Sequence, residues 1–533
     1  MKTTYKILSV ALSILLFSAC TDLDTAPQGA TITENQKQET AANDPSKVEA
    51  SVNAIFSRAN TFGAYYKDYH FDFGYPSVMI MMDTRGYDFV SDDVDYNWFS
   101  TELLYQANTT TSAGNRFMWN TMYALIHNTN AVAATIDEAT TDTTAQFYLA
   151  QALGERAWCY FVLANLYQFT YKGNESKLCV PIITEKNMAS TGVDGTPRAT
   201  VQQVYDQILH DANKAVELLQ KTTIQRADKR YISLEVAYGI RARVELSMEN
   251  WAAAAADAKL AQKGYTPLSI AEVSKPGFNN DQNTSWMWDD ILAETDRVVT
   301  SGIVNFASHV NSFAYGYANY GGWRKISYNL FNQIDKTDVR RGWWLDKNGT
   351  SANITKEQAA FLKEKDAPIF TNVKFYPYKN IIENKTNAAP IPYMRVEEMI
   401  LIEAEATAMA GNATAGAKIL ENFVKTYRDP NYTCTATTPE GVQDAVYQQR
   451  RIELWGEGLS WIDIKRLKKD MNRIGAYYTS KNAIFNIPAN SDNMNYRLPE
   501  SEITNNVQIS EKDNNPVIAA PSPVIDNTQY DVK

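Results

Sequence analysis

Apolar residues recur at helical spacing on both sides of a short polar turn between Arg395 and Tyr427. The first run comprises Val396, Met399, Ile400, Ala404 and Ala408, and the second comprises Ala417, Leu420, Phe423 and Val424. Gly411 and Asn412, which lie between them, tolerate the left-handed backbone that ends a helix. Because alanine and glycine let a neighbouring helix approach closely, the pattern predicts two helices packed against each other as a hairpin.

The same hairpin pattern occurs at two earlier places in the chain. Glu235–Gly264 repeats it closely, and Ala152–Tyr171 is a third, looser copy. Small residues in one helix, a short polar turn and an alanine-rich second helix are typical of tetratricopeptide-like hairpins. The copies are not spaced at multiples of the roughly 34-residue period of a tandem array. We therefore expect scattered hairpins with long insertions between them.

Further helical patterns predict the rest of the scaffold. The predicted helices are Ser46–Phe62, Asn115–Ala139, Thr144–Phe169, Val201–Gln220, Glu440–Trp455 and Leu459–Arg473. Thr200 is placed to cap the helix that begins at Val201. Past Ala476 the chain is rich in turns and is expected to wrap the surface.

Two insertions, at residues 63–100 and 265–390, are poor in helical pattern and rich in aromatic residues. In the first, only Val78–Met82 is continuously apolar, so most of this insertion is expected to be loop. The predicted fold class is therefore mostly α: a scaffold of tetratricopeptide-like helical hairpins with long aromatic-rich loop insertions.

The N-terminus is typical of a secretion signal. Met1–Lys6 is basic, Ile7–Phe17 is apolar but too short to span a membrane, and small residues precede Cys20. This end resembles a bacterial lipobox, which predicts a signal peptide over residues 1–19 and a lipid on Cys20. Plain signal cleavage that leaves a free cysteine is the alternative. The polar residues 20–45 are expected to form a flexible, lipid-anchored tether.

Charge and cysteine content narrow the classes of partner. The chain has 533 residues, a net charge of −10 and a pI near 5.2, with no long basic run, which argues against nucleic acid as the partner. Cys159, Cys179 and Cys434 form no C-x-x-C pair and are interpreted as small buried hydrophobes. A disulfide between Cys179 and Cys434 is a second interpretation, which the spacing does not support.

Four stretches resemble the SusD/RagB family of nutrient-binding outer-membrane lipoproteins. They are the signal that ends at Cys20, Pro392–Gly411, Gln449–Leu467 and Tyr496–Asn506. The resemblance implies a SusD-like domain over residues 46–533, anchored to the outer membrane and exposed at the cell surface. It also implies that the protein binds a nutrient glycan and delivers it to a TonB-dependent, SusC-like transporter. Peptides are the alternative ligand class within this interpretation.

The signature in Gln449–Leu467 also has a physical interpretation. Its charged residues, Arg450, Arg451, Glu453, Glu457, Asp463, Lys465 and Arg466, are placed to form ion pairs between helices. Trp455 and Trp461 are expected to pack around the turn at Gly456 and Gly458. We therefore predict that this segment holds the scaffold together and is not catalytic.

The sequence contains no recognisable catalytic motif. The four histidines are isolated, and no metalloprotease, serine-hydrolase, P-loop or dinucleotide-binding motif occurs. The acidic pairs Asp92-Asp93 and Asp289-Asp290 lie near tryptophans, so a surface glycosidase is a competing hypothesis. The stretch Asp93–Asn97 imitates a calcium loop but lacks its glycine and its final glutamate. The sequence predicts a protein that is not an enzyme and has no cofactor or metal.

Aromatic and polar residues are mixed in the two insertions in a way that suits sugars. The apolar face of a pyranose ring stacks on Trp or Tyr, while Asp, Asn and Arg bind its hydroxyls. The blocks Asp83–Trp98 and Gln282–Arg324 have this mixture. The candidate ligand-binding residues are Asp83, Arg85, Tyr96, Trp98, Trp286, Tyr320 and Trp323, and the resemblance favours the three tryptophans. The competing interpretation is that such rings are loop cores that hold the insertions on the scaffold.

Overall fold

Helices dominate the computed structural model of the chain, which describes residues 34–525. In chain order the helices are α1 (Glu34–Asn43), α2 (Glu49–Ala59), α3 (Tyr75–Arg85), α4 (Ser100–Leu103), α5 (Ala113–Ala133), α6 (Thr143–Tyr167), α7 (Met188–Asp194), α8 (Val201–Lys221), α9 (Leu234–Ser247), α10 (Trp251–Ala261), α11 (Ile270–Val273), α12 (Arg297–Thr300), α13 (Phe306–Val310), α14 (Tyr328–Gln333), α15 (Lys356–Glu364), α16 (Val396–Met409), α17 (Ala413–Tyr427), α18 (Pro439–Glu453), α19 (Ser460–Arg466) and α20 (Glu500–Asn505). Short 3-10 helices lie at Pro45–Val48, Gln106–Asn108, Tyr317–Asn319, Val339–Trp343, Tyr378–Asn380, Lys481–Ala483, Asp492–Met494 and Glu511–Asp513. The strands are β1 (Phe89–Ser91), β2 (Leu178–Pro181), β3 (Arg198–Thr200), β4 (Trp286–Asp290), β5 (Arg324–Ile326), β6 (Ile391–Arg395), β7 (Met471–Asn472) and β8 (Asn486–Ile487).

The two clearest hairpins of the predicted repeat lie side by side. α9 packs against α10, α16 packs against α17, and α10 also packs against α16, although the second insertion separates them in sequence. The α16–α17 turn contains Gly411, whose φ of 101° lies in the left-handed region, and Asn412 caps α17. A Cβ on Gly416 would lie 2.6 Å from the Cβ of Ala408. Small residues therefore let these helices touch, and the hairpin-based, mostly α fold is confirmed.

The remaining long helices form around α6. This helix packs against α5 and α8, and every one of its residues from Ala145 to Tyr167 is buried. The predicted cap of α8 is confirmed. The Thr200 side chain accepts a hydrogen bond from the Gln203 N–H, and the Gln203 side chain accepts one from the Thr200 N–H. α19 ends at Arg466, earlier than the predicted Arg473.

The strands tie the insertions to each other and to the scaffold. They form four antiparallel two-stranded sheets, in which β1 pairs with β5, β2 with β3, β4 with β6 and β7 with β8. β1 belongs to the first insertion and β5 to the second, so this sheet joins the two insertions. β4 lies in the second insertion and pairs with β6, the strand that leads directly into α16. These two sheets therefore hold the first and second insertions in place, and the loops extend from them.

Helix α3 corrects the prediction that most of the first insertion is loop. All eleven of its residues are buried, so it lacks the alternation of apolar and polar residues by which a surface helix is recognised. Pro76 lies in its first turn, where proline is favourable because no intrahelical N–H bond is lost. The apolar run Val78–Met82 is the centre of this buried helix.

The two ends of the chain also differ from the prediction. α1 lies within residues 20–45, which were predicted to be a flexible tether, and the Gln38 side chain donates to the Ala134 carbonyl. The C-terminal stretch is poor in regular structure, as predicted, but it enters the core through Phe485, Met494, Tyr496 and Leu498. The signal peptide and Cys20 lie outside the described residues.

The charged signature residues are buried in a network of ion pairs, but Glu453 and Glu457 find their partners outside the signature and not, as predicted, within it. The carboxylate of Glu453 accepts hydrogen bonds from Arg428 at 2.7 and 2.8 Å, from Arg395 at 3.0 Å and from Arg340 at 3.1 Å. Glu457 binds Arg395 at 2.8 Å and Lys374 at 2.6 Å. Burial alone would raise the pKa of Glu453, but Arg428 and the two other arginines outweigh it and hold this pKa well below its usual range.

A second part of the signature joins α18 to α19. Asp463 binds Arg450 and Arg466, each at 2.7 Å. Lys465 is an exception to the prediction, because it donates to the Met494 carbonyl at 2.9 Å and forms no ion pair within residues 34–525. Trp455 packs on Phe89, with ring centroids 4.8 Å apart. The segment therefore holds elements of the scaffold together.

The structure shows the state of the three cysteines within residues 34–525. Cys159, Cys179 and Cys434 are free thiols, so the disulfide interpretation is wrong. Within the same residues, no helix combines the length and the hydrophobicity that a membrane-spanning segment requires.

Candidate functional site

Tyr69, Tyr96 and Tyr320 are the three most exposed Phe, Tyr or Trp residues in residues 34–525, with exposed fractions of 43%, 54% and 49%. They come from three loops that are far apart in sequence. The structure brings these loops together: His70, Trp98 and Tyr317 link the rings of Tyr69 and Tyr96. Tyr320 directly follows the short 3-10 helix that begins at Tyr317. We call these six residues the aromatic surface.

One half of the aromatic surface is built around Trp98. The His70 ring stacks on the indole with centroids 4.6 Å apart and planes inclined by 21°, and Tyr69 meets the indole at 6.3 Å with its ring nearly perpendicular. Burial lowers the pKa of His70, so this imidazole is neutral at pH 7. His70 therefore contributes an aromatic face and no charge.

The other half is built around Tyr317. Its ring lies 6.2 Å from that of Tyr96 and 6.4 Å from that of Trp98, measured between centroids. Gly322 lets the two loops approach, because a Cβ there would lie 2.9 Å from the Tyr317 carbonyl oxygen and 3.2 Å from that of Tyr96. A Cβ on Gly321 would lie 3.5 Å from the Tyr96 ring. Tyr96 thus lies against the loop that carries Tyr320.

A charged pair borders the aromatic surface beside Tyr320. The Lys365 ammonium lies 4.6 Å from the centroid of the Tyr320 ring, and the Tyr320 hydroxyl lies 3.4 Å from Glu383. Lys365 and Glu383 form an ion pair at 2.5 Å. The hydrogen bond that the Lys365 ammonium donates to Glu383 raises the pKa of Lys365, so the ammonium stays charged at neutral pH. A donor and an acceptor for hydroxyl groups therefore lie at the edge of the rings.

Buried His309 supports the surface from below. Its ring lies between Phe73 and Tyr317, with centroids 5.4 and 4.9 Å away, and its Nε2 donates to the His70 carbonyl at 2.9 Å. Burial, and then the charge of Arg324, lower the pKa of His309 well below its usual value. The neutral ring holds the Tyr69–His70 loop and the Tyr317 loop together.

Trp286 and Trp323, two of the predicted ligand residues, lie in the interior. Trp286 is fully buried in β4 with Phe278 beside it, at a centroid distance of 6.3 Å. Trp323 belongs to a small core with Phe313 and Leu362. Each ring fills space behind a loop, and neither is open to solvent. The structure of these two tryptophans therefore agrees with the competing interpretation, in which such rings hold the insertions on the scaffold.

Asp83 and Arg85 are also buried, because they end helix α3 and do not lie on a loop. Asp83 accepts the Gly458 N–H at 2.8 Å and the Ser460 hydroxyl at 2.7 Å, and burial raises its pKa to about 6. Arg85 donates to the Asn493 carbonyl at 2.8 Å and lies over the Tyr496 ring. Both side chains hold α3 on the scaffold.

Of the seven predicted residues, the structure brings Tyr96, Trp98 and Tyr320 together at the surface. Sequence reasoning missed Tyr69, His70 and Tyr317 as members of the same site. The run YYKDYHFDFGY around Tyr69 was an available signal, since its aromatic residues alternate with charged ones. No sequence pattern pointed to Lys365 and Glu383 as site residues, because only the fold places them beside Tyr320.

Stacking and hydrogen bonding are the chemistry that this arrangement offers. Exposed tyrosine rings present flat apolar faces, and the hydroxyls of Tyr69, Tyr96 and Tyr320 add polar atoms at their rims. Asp93 and Asp95 lie exposed on the Tyr96 loop. Glu383, the carboxylate beside Tyr320, is already paired with Lys365.

Two family models match the chain. One, described as starch-binding and associating with the outer membrane, matches residues 81–246, and the other, described as the SusD family, matches residues 310–523. A SusD-like protein of Bacteroides ovatus is 22% identical over 72% of this chain, and the match spans 64% of that relative. SusD-like protein P2 of Formosa agariphila is 24% identical, over 72% of this chain and 76% of its own length.

Solved structures share the fold. A SusD-like carbohydrate binding protein from Bacteroides vulgatus is 24% identical and aligns with a TM-score of 0.72, over 89% of this chain and 98% of its own. Surface glycan-binding protein A from Bacteroides thetaiotaomicron, solved in complex with laminarihexaose, is 14% identical. It aligns with a TM-score of 0.60, over 87% of this chain and 98% of its own.

Proposed function

The chain belongs to the SusD/RagB family, and from this premise we propose that it is a non-catalytic protein that binds a glycan at the aromatic surface. One observation carries the proposal. The three most exposed Phe, Tyr or Trp side chains in residues 34–525 all lie on this one surface, and every other such ring in these residues is buried or half-buried. Exposed rings are costly to leave in water, so their convergence supports a site for a ligand with a flat apolar face.

A sugar chain fits both kinds of group on this surface. The apolar face of each pyranose stacks on a tyrosine ring, while Lys365, Glu383, Asp93 and Asp95 are available to its hydroxyls. The laminarihexaose complex of the Bacteroides thetaiotaomicron neighbour supports the glycan class. Peptides remain the alternative ligand class.

The proposed binding is non-catalytic. A glycosidase holds two carboxylates on either side of the scissile bond, and one of them needs a raised pKa to act as the acid. The carboxylate beside Tyr320 belongs to Glu383, which is paired with the Lys365 ammonium at 2.5 Å and not with a second carboxylate. A reducing-sugar assay on the purified protein with the bound glycan tests this point, and sustained release of reducing ends would overturn it.

The proposed location is the outer membrane, with the binding domain at the cell surface. The description of the first family model and the lipobox-like end at Cys20 support this part of the proposal. From there, the protein would deliver its glycan to a TonB-dependent, SusC-like transporter. Co-purification of such a transporter with the full chain from detergent-solubilised membranes tests the partnership, and a chain that always elutes alone contradicts it.

Calorimetry with a panel of uncharged oligosaccharides tests glycan binding. The panel contains laminarihexaose, cellohexaose, maltohexaose and xylohexaose. We expect at least one to bind, and Tyr96→Ala with Tyr320→Ala to weaken that binding by more than about tenfold. Leu178→Ala is the matched control, because this side chain is similarly exposed but lies on the scaffold strand β2. Equal binding by the double variant and the control would place the site elsewhere.

A further inference from the structure

A second concave region lies away from the six rings of the aromatic surface. It is a cleft of about 550 Å³ between the loop that follows α11, the start of α15 and the short 3-10 helix Tyr378–Asn380. Its wall is dominated by amide side chains, of which Asn280, Asn283, Gln358 and Asn380 matter most here. We call this region the amide cleft.

These four side chains share one hydrogen-bonding arrangement. In each, the amide oxygen accepts an N–H donor from the protein: Asn280 from the Gln282 N–H at 3.0 Å, Asn283 from the Ser285 N–H at 2.9 Å, Gln358 from the Thr355 N–H at 2.8 Å and Asn380 from the Asn279 side chain at 2.9 Å. Since only the oxygen of an amide accepts a hydrogen bond, these donors also fix which end is the nitrogen. None of the four amide nitrogens has a hydrogen-bond partner within residues 34–525.

Gln358 is the most informative of the four. Its side chain lines the cleft although the residue is only 8% exposed, and its oxygen is held by the capping box at the start of α15. Its amide nitrogen has no hydrogen-bond partner within residues 34–525 and reaches solvent at the wall of the cleft. The oxygen is already used, so this nitrogen is free to donate to a ligand that supplies an acceptor.

The shape of the cleft is fixed by the core behind it. Phe278, next to Asn279 in the loop, packs against Trp343 and Phe375 with both centroids 5.7 Å away. Tyr376 also lines the cleft, and its ring is held edge-on against Phe313 at 5.3 Å. The donors therefore lie on a preformed wall, which reduces the entropy lost when a ligand binds.

The charges on the wall favour an uncharged ligand. Glu272 and Lys275 are the charged side chains among the lining residues, and they have opposite signs. Four unpaired amide NH₂ groups beside the half-buried ring of Tyr376 suit hydroxyl and ring oxygens, which accept hydrogen bonds without carrying charge. We propose that the amide cleft is a second binding site for an uncharged segment of a glycan chain.

Helix α15 links this cleft to the aromatic surface. Its first turn supplies Gln358 to the cleft, and Lys365, directly after its last residue, supplies the ammonium that faces the Tyr320 ring. A nine-residue helix is about 13 Å long, so the two sites are separated by roughly one helix length. The cleft is therefore placed to hold a later part of a chain that starts on the aromatic surface. This inference rests on the proposed glycan-binding function.

The test uses substitutions that retain each internal hydrogen bond and replace the free amide donor with a carboxylate oxygen, which accepts hydrogen bonds and adds one negative charge. Asn280→Asp, Asn283→Asp and Gln358→Glu keep an oxygen where the backbone N–H needs an acceptor, and a glutamate at the third position of a helix also completes a capping box. We expect the triple variant to fold with an unchanged melting temperature and to bind the preferred hexasaccharide of the panel about tenfold more weakly. Its affinity for the matching disaccharide should stay unchanged, because that ligand needs only the aromatic surface.

The outcomes separate the two proposals. If the triple variant binds the hexasaccharide as the wild type does, while Tyr96→Ala with Tyr320→Ala abolishes binding, the cleft is not a glycan site and the proposed function stands. If the triple variant loses binding and the tyrosine variant retains it, the cleft is supported and the aromatic surface is not the main site. If no member of the panel binds the wild type at millimolar concentration, both proposals are wrong.

Discussion

The His70 ring lies stacked on the Trp98 indole, 4.6 Å away between centroids, while its carbonyl oxygen accepts a hydrogen bond from buried His309. Because burial keeps His70 neutral, we expect its ring to matter for shape and not for charge. His70→Phe should keep glycan affinity within about threefold, whereas His70→Ala should lower it by about tenfold through loss of the ring that supports Trp98. Calorimetry at pH 7 and 8 measures both, and the wild-type affinity should be the same at the two values. Equal binding by His70→Ala and the wild type would contradict the supporting role.

The close contact between α16 and α17 gives a prediction about the scaffold. Ala404 is fully buried between helices, so Ala404→Trp should overpack the hairpin and destabilise the protein by about 1–3 kcal/mol. Lys418→Trp is the control, because Lys418 lies on the exposed face of α17. Thermal unfolding of both variants provides the comparison. A melting temperature for Ala404→Trp equal to that of the control would mean that the two helices do not pack as described.

Glu453 should be the most sensitive carboxylate of the scaffold. Glu453→Gln removes the charge that three buried arginines share, and loss of one partner from a buried ion pair typically costs about 3–5 kcal/mol. Glu440→Gln, an exposed position in the first turn of the same helix, should change little. Urea unfolding measures the difference. A Glu453→Gln midpoint that matches that of Glu440→Gln would show that the network adds nothing to stability.

A group of buried acids predicts how stability depends on pH. Burial, and then the neighbouring Asp290, raise the pKa of Glu155 to about 8, while burial raises that of Asp290 to about 7. The unfolded chain loses these protons near pH 4 to 4.5, so between that value and pH 8 the folded state binds more protons. Stability should therefore fall as the pH rises through this window, with each pKa unit worth about 1.4 kcal/mol.

Glu155→Gln tests the pH prediction, because it removes one of the ionisable groups while keeping a similar shape. We expect its melting temperature to exceed that of the wild type by a margin that grows from pH 5 to pH 8. Glu440→Gln again provides the control, since an exposed acid should leave the slope unchanged. Parallel melting curves for the wild type and Glu155→Gln across this range would show that Glu155 ionises normally in the folded protein.

The proposed lipid anchor is tested at Cys20, which lies outside the described residues. Cys20→Ala should remove incorporation of a palmitate analogue and release the protein from the membrane fraction. Cys434→Ala is the control, because Cys434 is a partly exposed cysteine of the folded domain. Equal labelling of the Cys20 variant and the wild type would rule out lipidation at this residue.

The scaffold could be predicted from sequence because its signals are local. The alanine face of α16, the turn at Gly411 and the cap at Thr200 each depend on residues within a few positions of one another. Of the ion pairs predicted within Gln449–Leu467, the one between Arg450 and Asp463 forms. Glu453 and Glu457 pair instead with residues outside this segment, which no local pattern could indicate. The sequence could not show which residues of the two insertions face solvent and which are buried.

The aromatic surface shows that limit most clearly. Trp98, Trp286 and Trp323 stand in similar sequence surroundings, yet Trp286 is fully buried while Trp98 lies at the surface. The difference comes from pairing of β4 with β6, a contact between distant segments that leaves no local pattern. Asp83 and Arg85 were misplaced for a related reason, because a helix buried on all sides has no polar face to reveal it.

The buried charge network also bears on the order in which the chain is completed. Synthesis proceeds from the N-terminus, so Arg340, Lys374 and Arg395 are made before Glu453 and Glu457. Arg340 and Arg395 already have Asp338 and Glu397 as partners, whereas Lys374 pairs with Glu457 alone within residues 34–525. Burying Lys374 without its counter-charge is unfavourable, so we expect the second insertion to close on the hairpins only after Glu457, which follows α18, has emerged. We expect nascent chains that stop before Glu453 to stay open and protease-sensitive. A chain that stays open until late in synthesis is well suited to passage through a secretion channel before it folds.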